Sequence, residues 1–119
     1  MIEPNYRSFT RYELDLLNVL LASSFPGRDE LTAQLSTSTA RGFDENGSFE
    51  FKIESSNHPA NVKHVVVSEG ECEDVDGVII HILLYVKDSF LKELEIFKED
   101  NSKVICLPNP SLLRVFAPQ

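Results

Sequence analysis

Tryptophan is absent, methionine occurs once, and cysteine occurs only as Cys72 and Cys106. Two cysteines cannot build a disulfide framework, and neither a CxxC pair nor a Cys/His set at zinc spacing occurs, which argues against structural zinc. Two reduced thiols in a cytoplasmic protein are the expectation, with a single bridge between them as the open alternative. The five glycines are scattered, so no phosphate-cradling loop is present. Basic residues are scarce: 11 Lys and Arg stand against 19 Asp and Glu, a net charge of −8. That balance argues against charge-driven binding to nucleic acid or to a membrane surface. The longest apolar run, Val78 to Val86, is interrupted by His81 and is too short to span a bilayer. The opening Met1-Ile2-Glu3-Pro4-Asn5 lacks the basic start and apolar core of a signal peptide.

What is present reads as one globular domain over residues 1–119, with 42% hydrophobic and 25% charged residues. Thr10-Arg11-Tyr12-Glu13 is a capping box, flanked by Phe9 and Leu14 as a hydrophobic staple. Leu14, Leu17, Leu20, Leu21 and Ser24 recur at helical spacing, and Phe25-Pro26-Gly27 stops the run. These signals predict a helix from Arg11 to about Ser23 and a second from Arg28 to about Leu35, with Leu31 and Leu35 inward. From Ser36 the period becomes two. Ser36 to Arg41 reads as an edge strand, Asn46-Gly47 as a hairpin signal, and Phe49, Phe51 and Ile53 as the apolar face of the return strand.

Ser55 to Asn61 reads as a loop, and another strand is predicted to start near Val62. Val78 to Val86 is apolar on both parities, which places it centrally in its sheet. Leu91 to Glu99 fits either a helix capped by Ser89 or a strand returning onto Val78–Val86, and the strand is preferred. Val104 to Leu107 reads as a short strand ended by Pro108, and Leu113 to Phe116 as a further edge. The expected fold is α+β: two N-terminal helices packed on an antiparallel β-meander of five to six strands.

The densest chemical signal is Glu69 to Gly77, where Glu69, Glu71, Glu73, Asp74 and Asp76 fall with no base among them. On a strand continuing from Val62, the first three would share a face with Lys63, Val65 and Val67, roughly 7 Å apart along the chain. A calcium loop fails: with Gly77 at its loop glycine, Cys72 and Leu83 occupy the first and last ligand positions. Paired-carboxylate catalysis needs unequal environments that spacing does not reveal, and no nucleophile accompanies the acids. The plain reading is a solvated strand end running into an Asp-x-Asp-Gly turn. The functional reading is an acidic, partner-binding face made of these five residues.

His58 precedes Pro59 in a loop, while His64 and His81 fall on neighbouring predicted strands. With Glu69 those two would sketch a His/Glu site, although a histidine among Ile80, Ile82 and Val66 is more often simply packed. No G-x-S-x-G elbow and no basic groove occur. The expectation is therefore a non-enzyme without cofactor or metal.

Three separated patterns occur in order: Arg7-Ser8-Phe9-Thr10-x-x-Glu13, Asp74-x-Asp76-Gly77, and Glu93-Leu94-Glu95-Ile96-Phe97-Lys98-Glu99-Asp100 followed by Ser102, Val104, Ile105 and Leu107-Pro108. Together they resemble a family of short bacterial proteins known only as a domain of unknown function. Phe97 stands where the family often has Trp, and Phe9 where it often has Leu. The resemblance implies a small α+β domain with Glu93–Asp100 as a strand, and it carries over no catalytic or binding residue. It also implies the kind of small protein sometimes encoded beside a contact-dependent toxin. The expectation is then an immunity-type inhibitor that binds a basic bacterial toxin; the alternative is a ligand-sensing or metabolic accessory domain around His64, His81 and Glu69.

Overall fold

The computed structural model describes residues 5–54 and 58–116. Residues 1–4 of the N-terminal segment and Ser55–Asn57 of the expected loop lie outside them. Helix α1 spans Arg11–Leu20 and opens on the predicted capping box: the Thr10 hydroxyl accepts from the Glu13 amide at 3.1 Å, and the Glu13 carboxylate accepts from the Thr10 amide at 2.9 Å. It stops at Leu20 rather than Ser23, and its buried stripe is Glu13, Leu16, Leu17 and Leu20, with Leu14 only half-buried. Glu13 tolerates burial because the Arg7 guanidinium grips both its oxygens, at 2.7 and 2.9 Å. Helix α2, Arg28–Gln34, runs into a single 3₁₀ turn at Leu35–Thr37.

Six strands form one antiparallel sheet: β1 Ser38–Gly42, β2 Phe49–Ile53, β3 Val66–Glu73, β4 Ile79–Lys87, β5 Phe90–Lys98 and β6 Arg114–Phe116. Their spatial order is β1-β2-β5-β4-β3-β6. Only β3-β4-β5 is a meander. The β1–β2 hairpin attaches to β5, so the simple meander expected from the sequence is replaced by a non-local pairing between Glu50 and Glu93. The strand reading of Leu91–Glu99 is the observed one.

One expected strand starts late and another is absent. Residues 62–65 are irregular, and β3 begins at Val66. Val104–Leu107 forms no strand, because side chains take its amides: Asn46 Oδ1 accepts from Val104 at 3.0 Å, and the Asp74 carboxylate accepts from Ile105 and Cys106 at 2.7 and 3.0 Å. A bulge between Val66 and Ser68 also breaks the strict alternation predicted for β3. Val67 and Ser68 are consequently both buried, and Val67 does not share the glutamates' face.

Directly opposed residues point to the same side of a sheet. Ser68, Gly70 and Cys72 of β3 therefore share the core face with their partners Leu84, Ile82 and Ile80. Leu20 of α1 lies against this face: its carbonyl accepts from the Ser68 hydroxyl at 2.8 Å, and a Cβ on Gly70 would stand 3.3 Å from its Cδ2. Leu16, Leu17, Leu20, Leu31, Phe49, Leu94 and Ile96 complete the same core. The opposite face of the sheet is half-exposed along its length.

Candidate partner-binding face

The acidic segment divides into two parts with different environments. Glu69, Glu71 and Glu73 alternate along β3 on the half-exposed face, opposite Leu83, His81 and Ile79. Arg114 of β6 reaches across to Glu71 at 3.2 Å and to both oxygens of Glu73 at 3.2 and 3.3 Å. This guanidinium holds the Glu73 carboxyl below its ordinary range. Glu69, two residues along, has no ion-pair partner among the described residues.

Asp74 and Asp76 do something else. The Asp74 side chain is fully buried and accepts from the amides of Val75, Ile105 and Cys106 and from Lys98 Nζ, the last at 3.1 Å. Asp76, partly exposed, accepts from the same Nζ at 2.6 Å and from the Val78 amide. Lys98, at the end of β5, is itself 1% exposed. Burial alone would raise the Asp74 carboxyl, but the Ile105 and Val75 amides, the Lys98 ammonium and the Cys106 amide outweigh it and hold it at about 2. Lys98 is shifted above its usual value by the two carboxylates, against the downward pull of burial. Asp74 thus clasps the β3–β4 turn to the 105–106 segment and is not presented to a partner. The sequence shows five acids within eight residues without showing that the chain turns inward at the fourth.

The His64–His81–Glu69 site does not assemble. His81 sits on β4 opposite Glu71, stacks on Phe97 with ring centroids 5.2 Å apart, and lies 3.2 Å from Glu99. His64 is exposed, before β3, beside the Val86 end of β4. About five residues of strand, roughly 16 Å, separate the two rings' backbone positions. His64 instead borders a shallow concavity of about 300 Å³ with Ala60, Asn61, Lys63 and Asp88. Cys72 is buried and Cys106 exposed, both as free thiols. Among the described residues no group of three or more His, Cys, Asp or Glu is arranged to hold a metal ion. No described helix is long and apolar enough to cross a membrane.

The same face carries residues that attention to the acidic run overlooked. Glu95 lies across Leu83 from Glu69, Glu93 lies beside Tyr85, and Phe97 lies beside His81. On a strand, the alternation Glu93-Glu95-Phe97 is the sequence signal that marks them. The match to known families decides what the chain is: residues 6–108 match the model described as Domain of unknown function (DUF6984). The chain belongs to this family. No curated protein and no solved structure matches the chain. The family match runs from Tyr6 through Pro108, so it takes in the capping box, the Asp74–Lys98 clasp and the whole of β3 to β5.

Proposed function

We propose that the chain is a small acidic protein-binding module of the immunity type, which neutralises a basic bacterial toxin in the cytoplasm. The observation that supports it best is the placement of charge. Three of the five acids of the 69–76 segment stand in one row on a half-exposed sheet face, joined there by Glu93 and Glu95. In this reading the two N-terminal helices back the sheet and leave that face to the partner. A basic toxin domain would be steered onto it, and the carboxylates would compete with the phosphates of its substrate. Glu69, Glu71 and Glu73 make the contact, Asp76 borders it, and Asp74 supports it from within.

The test is co-expression with the toxin domain encoded by a neighbouring gene, in cells that the toxin alone kills. The native chain is expected to restore growth, and the Glu69→Lys/Glu71→Lys/Glu73→Lys variant to lose protection while remaining folded. Equal protection by that variant would move the binding site elsewhere. Failure of the native chain against every neighbouring toxin would remove the inhibitor reading.

A further inference from the structure

Charge on the outer sheet face is unevenly compensated. Glu71 and Glu73 share Arg114, and Glu50 is bound by Arg41 and by the Tyr6 hydroxyl. Glu69 and Glu93 have no ion-pair partner among the described residues, and Glu95 accepts only from the Tyr85 hydroxyl, at 3.1 Å. All three carboxylates are half-buried. They surround one spot, because Glu69 and Glu95 flank Leu83 in one row and Glu93 opposes Tyr85 in the next. Burial pushes the Tyr85 hydroxyl above its ordinary range, and the hydrogen bond to Glu95 and the charges of Glu95, Glu93 and Glu69 add to the shift. Leu83 between Glu69 and Glu95, Tyr85 beside Glu93, and Phe97 in the next row beside His81 form a half-exposed apolar ledge along these rows.

We infer that this ledge is the anchoring centre of the docking face and that it takes Lys or Arg side chains of a basic protein partner. The cationic heads would lie among Glu69, Glu93 and Glu95, with their aliphatic stems on Leu83, Tyr85 and Phe97. Half-buried carboxylates without an ion-pair partner gain one when a cation is placed among them, whereas the Arg114-paired acids gain less. The chemistry selects a cation carried on an apolar stem, and it disfavours nucleic acid and acidic peptides. The inference sharpens the inhibitor reading by naming the patch, and it can be tested without the toxin.

The test is amide-resolved NMR titration of the ¹⁵N-labelled chain with a short peptide of alternating lysine and leucine, with an alternating glutamate and leucine peptide as the control probe. The basic peptide is expected to shift amides around Leu83, Tyr85, Glu93 and Glu95, and the acidic one to shift none. Glu69→Gln/Glu93→Gln and Tyr85→Ala should each weaken binding roughly tenfold, the size of an anchor truncation. Tyr85→Phe keeps the ring and should bind nearly as well, which guards against a folding defect in the alanine variant. Asp29→Asn/Glu30→Gln on α2 should change nothing. Shifts spread evenly over all surface acids, or unchanged affinity in the ledge variants, would overturn the inference. If the ledge maps as expected but no toxin is neutralised, the surface stands and the inhibitor reading falls. If protection holds while the ledge maps nothing, the partner reads another face.

Discussion

Two buried polar side chains fix the ends of the sheet. Gln34 is 1% exposed; its amide donates to the carbonyls of His58 and Ser89, at 2.5 and 3.0 Å, and accepts from the Leu91 amide at 2.9 Å. It ties α2 to the β4–β5 turn and to the segment entering at His58. Gln34→Leu takes the partner from the His58 carbonyl and the Leu91 amide, while the Ser89 carbonyl keeps the Ala60 amide, so urea unfolding should show a loss of roughly 2–4 kcal/mol. Asp74 does the same at the other end. Its carboxyl ordinarily titrates near 3.8 and is held at about 2 in the fold. A depressed carboxyl stabilises fully above its unfolded value and loses that contribution as pH falls through the folded one. Stability should therefore drop as pH falls from about 4 to about 2. Asp74→Asn should be less stable at neutral pH and should lose less across that window. An unchanged acid limb in Asp74→Asn would assign the drop to Asp76 or Glu13 instead. Neither residue's role was legible in the sequence, because their partners lie 24 to 57 residues away.

Elements set by neighbours along the chain were legible, and those set by distant pairing were not. Thr10 and Glu13 announce α1 because both halves of the capping box are three residues apart. Phe49, Phe51 and Ile53 announce β2 by alternation, although pairing of β2 with β5 across the intervening β3–β4 hairpin leaves no local trace. Val104 to Leu107 has strand composition, yet Asn46 and Asp74 capture its amides before a ladder can form. The β3–β4 turn offers a clean test of local geometry. Gly77 has φ of 84°, and a Cβ there would meet nothing within 4 Å. Gly77→Ala should then cost about 1 kcal/mol from backbone strain alone. The control Gly42→Ala, which has no positive φ, should stay within about 0.5 kcal/mol in thermal unfolding. Strand β6 modulates charge more than it builds the sheet. Arg114→Ser releases Glu71 and Glu73, and association with a basic partner at low salt should speed roughly two- to threefold.

For the molecule as a whole, the surplus of acids is less informative than its distribution. Of the five acids clustered in the sequence, Asp74 is buried and Asp76 is tied to Lys98, while Arg114 moderates Glu71 and Glu73. The free negative field shifts instead toward Glu69, Glu93 and Glu95, which three strands bring together around Tyr85. In the proposed reading, composition sets the sign of the partner's charge and the sheet register sets where that charge would land. The most direct measurement is the association rate of the chain with its candidate toxin partner, taken by stopped flow across a range of ionic strength. The native rate is expected to fall steeply with added salt, and the Glu69→Lys/Glu93→Lys variant to associate slowly with a much flatter salt dependence. A rate indifferent to salt, or the same slope in that variant, would contradict an acidic sheet face as the surface that meets the partner.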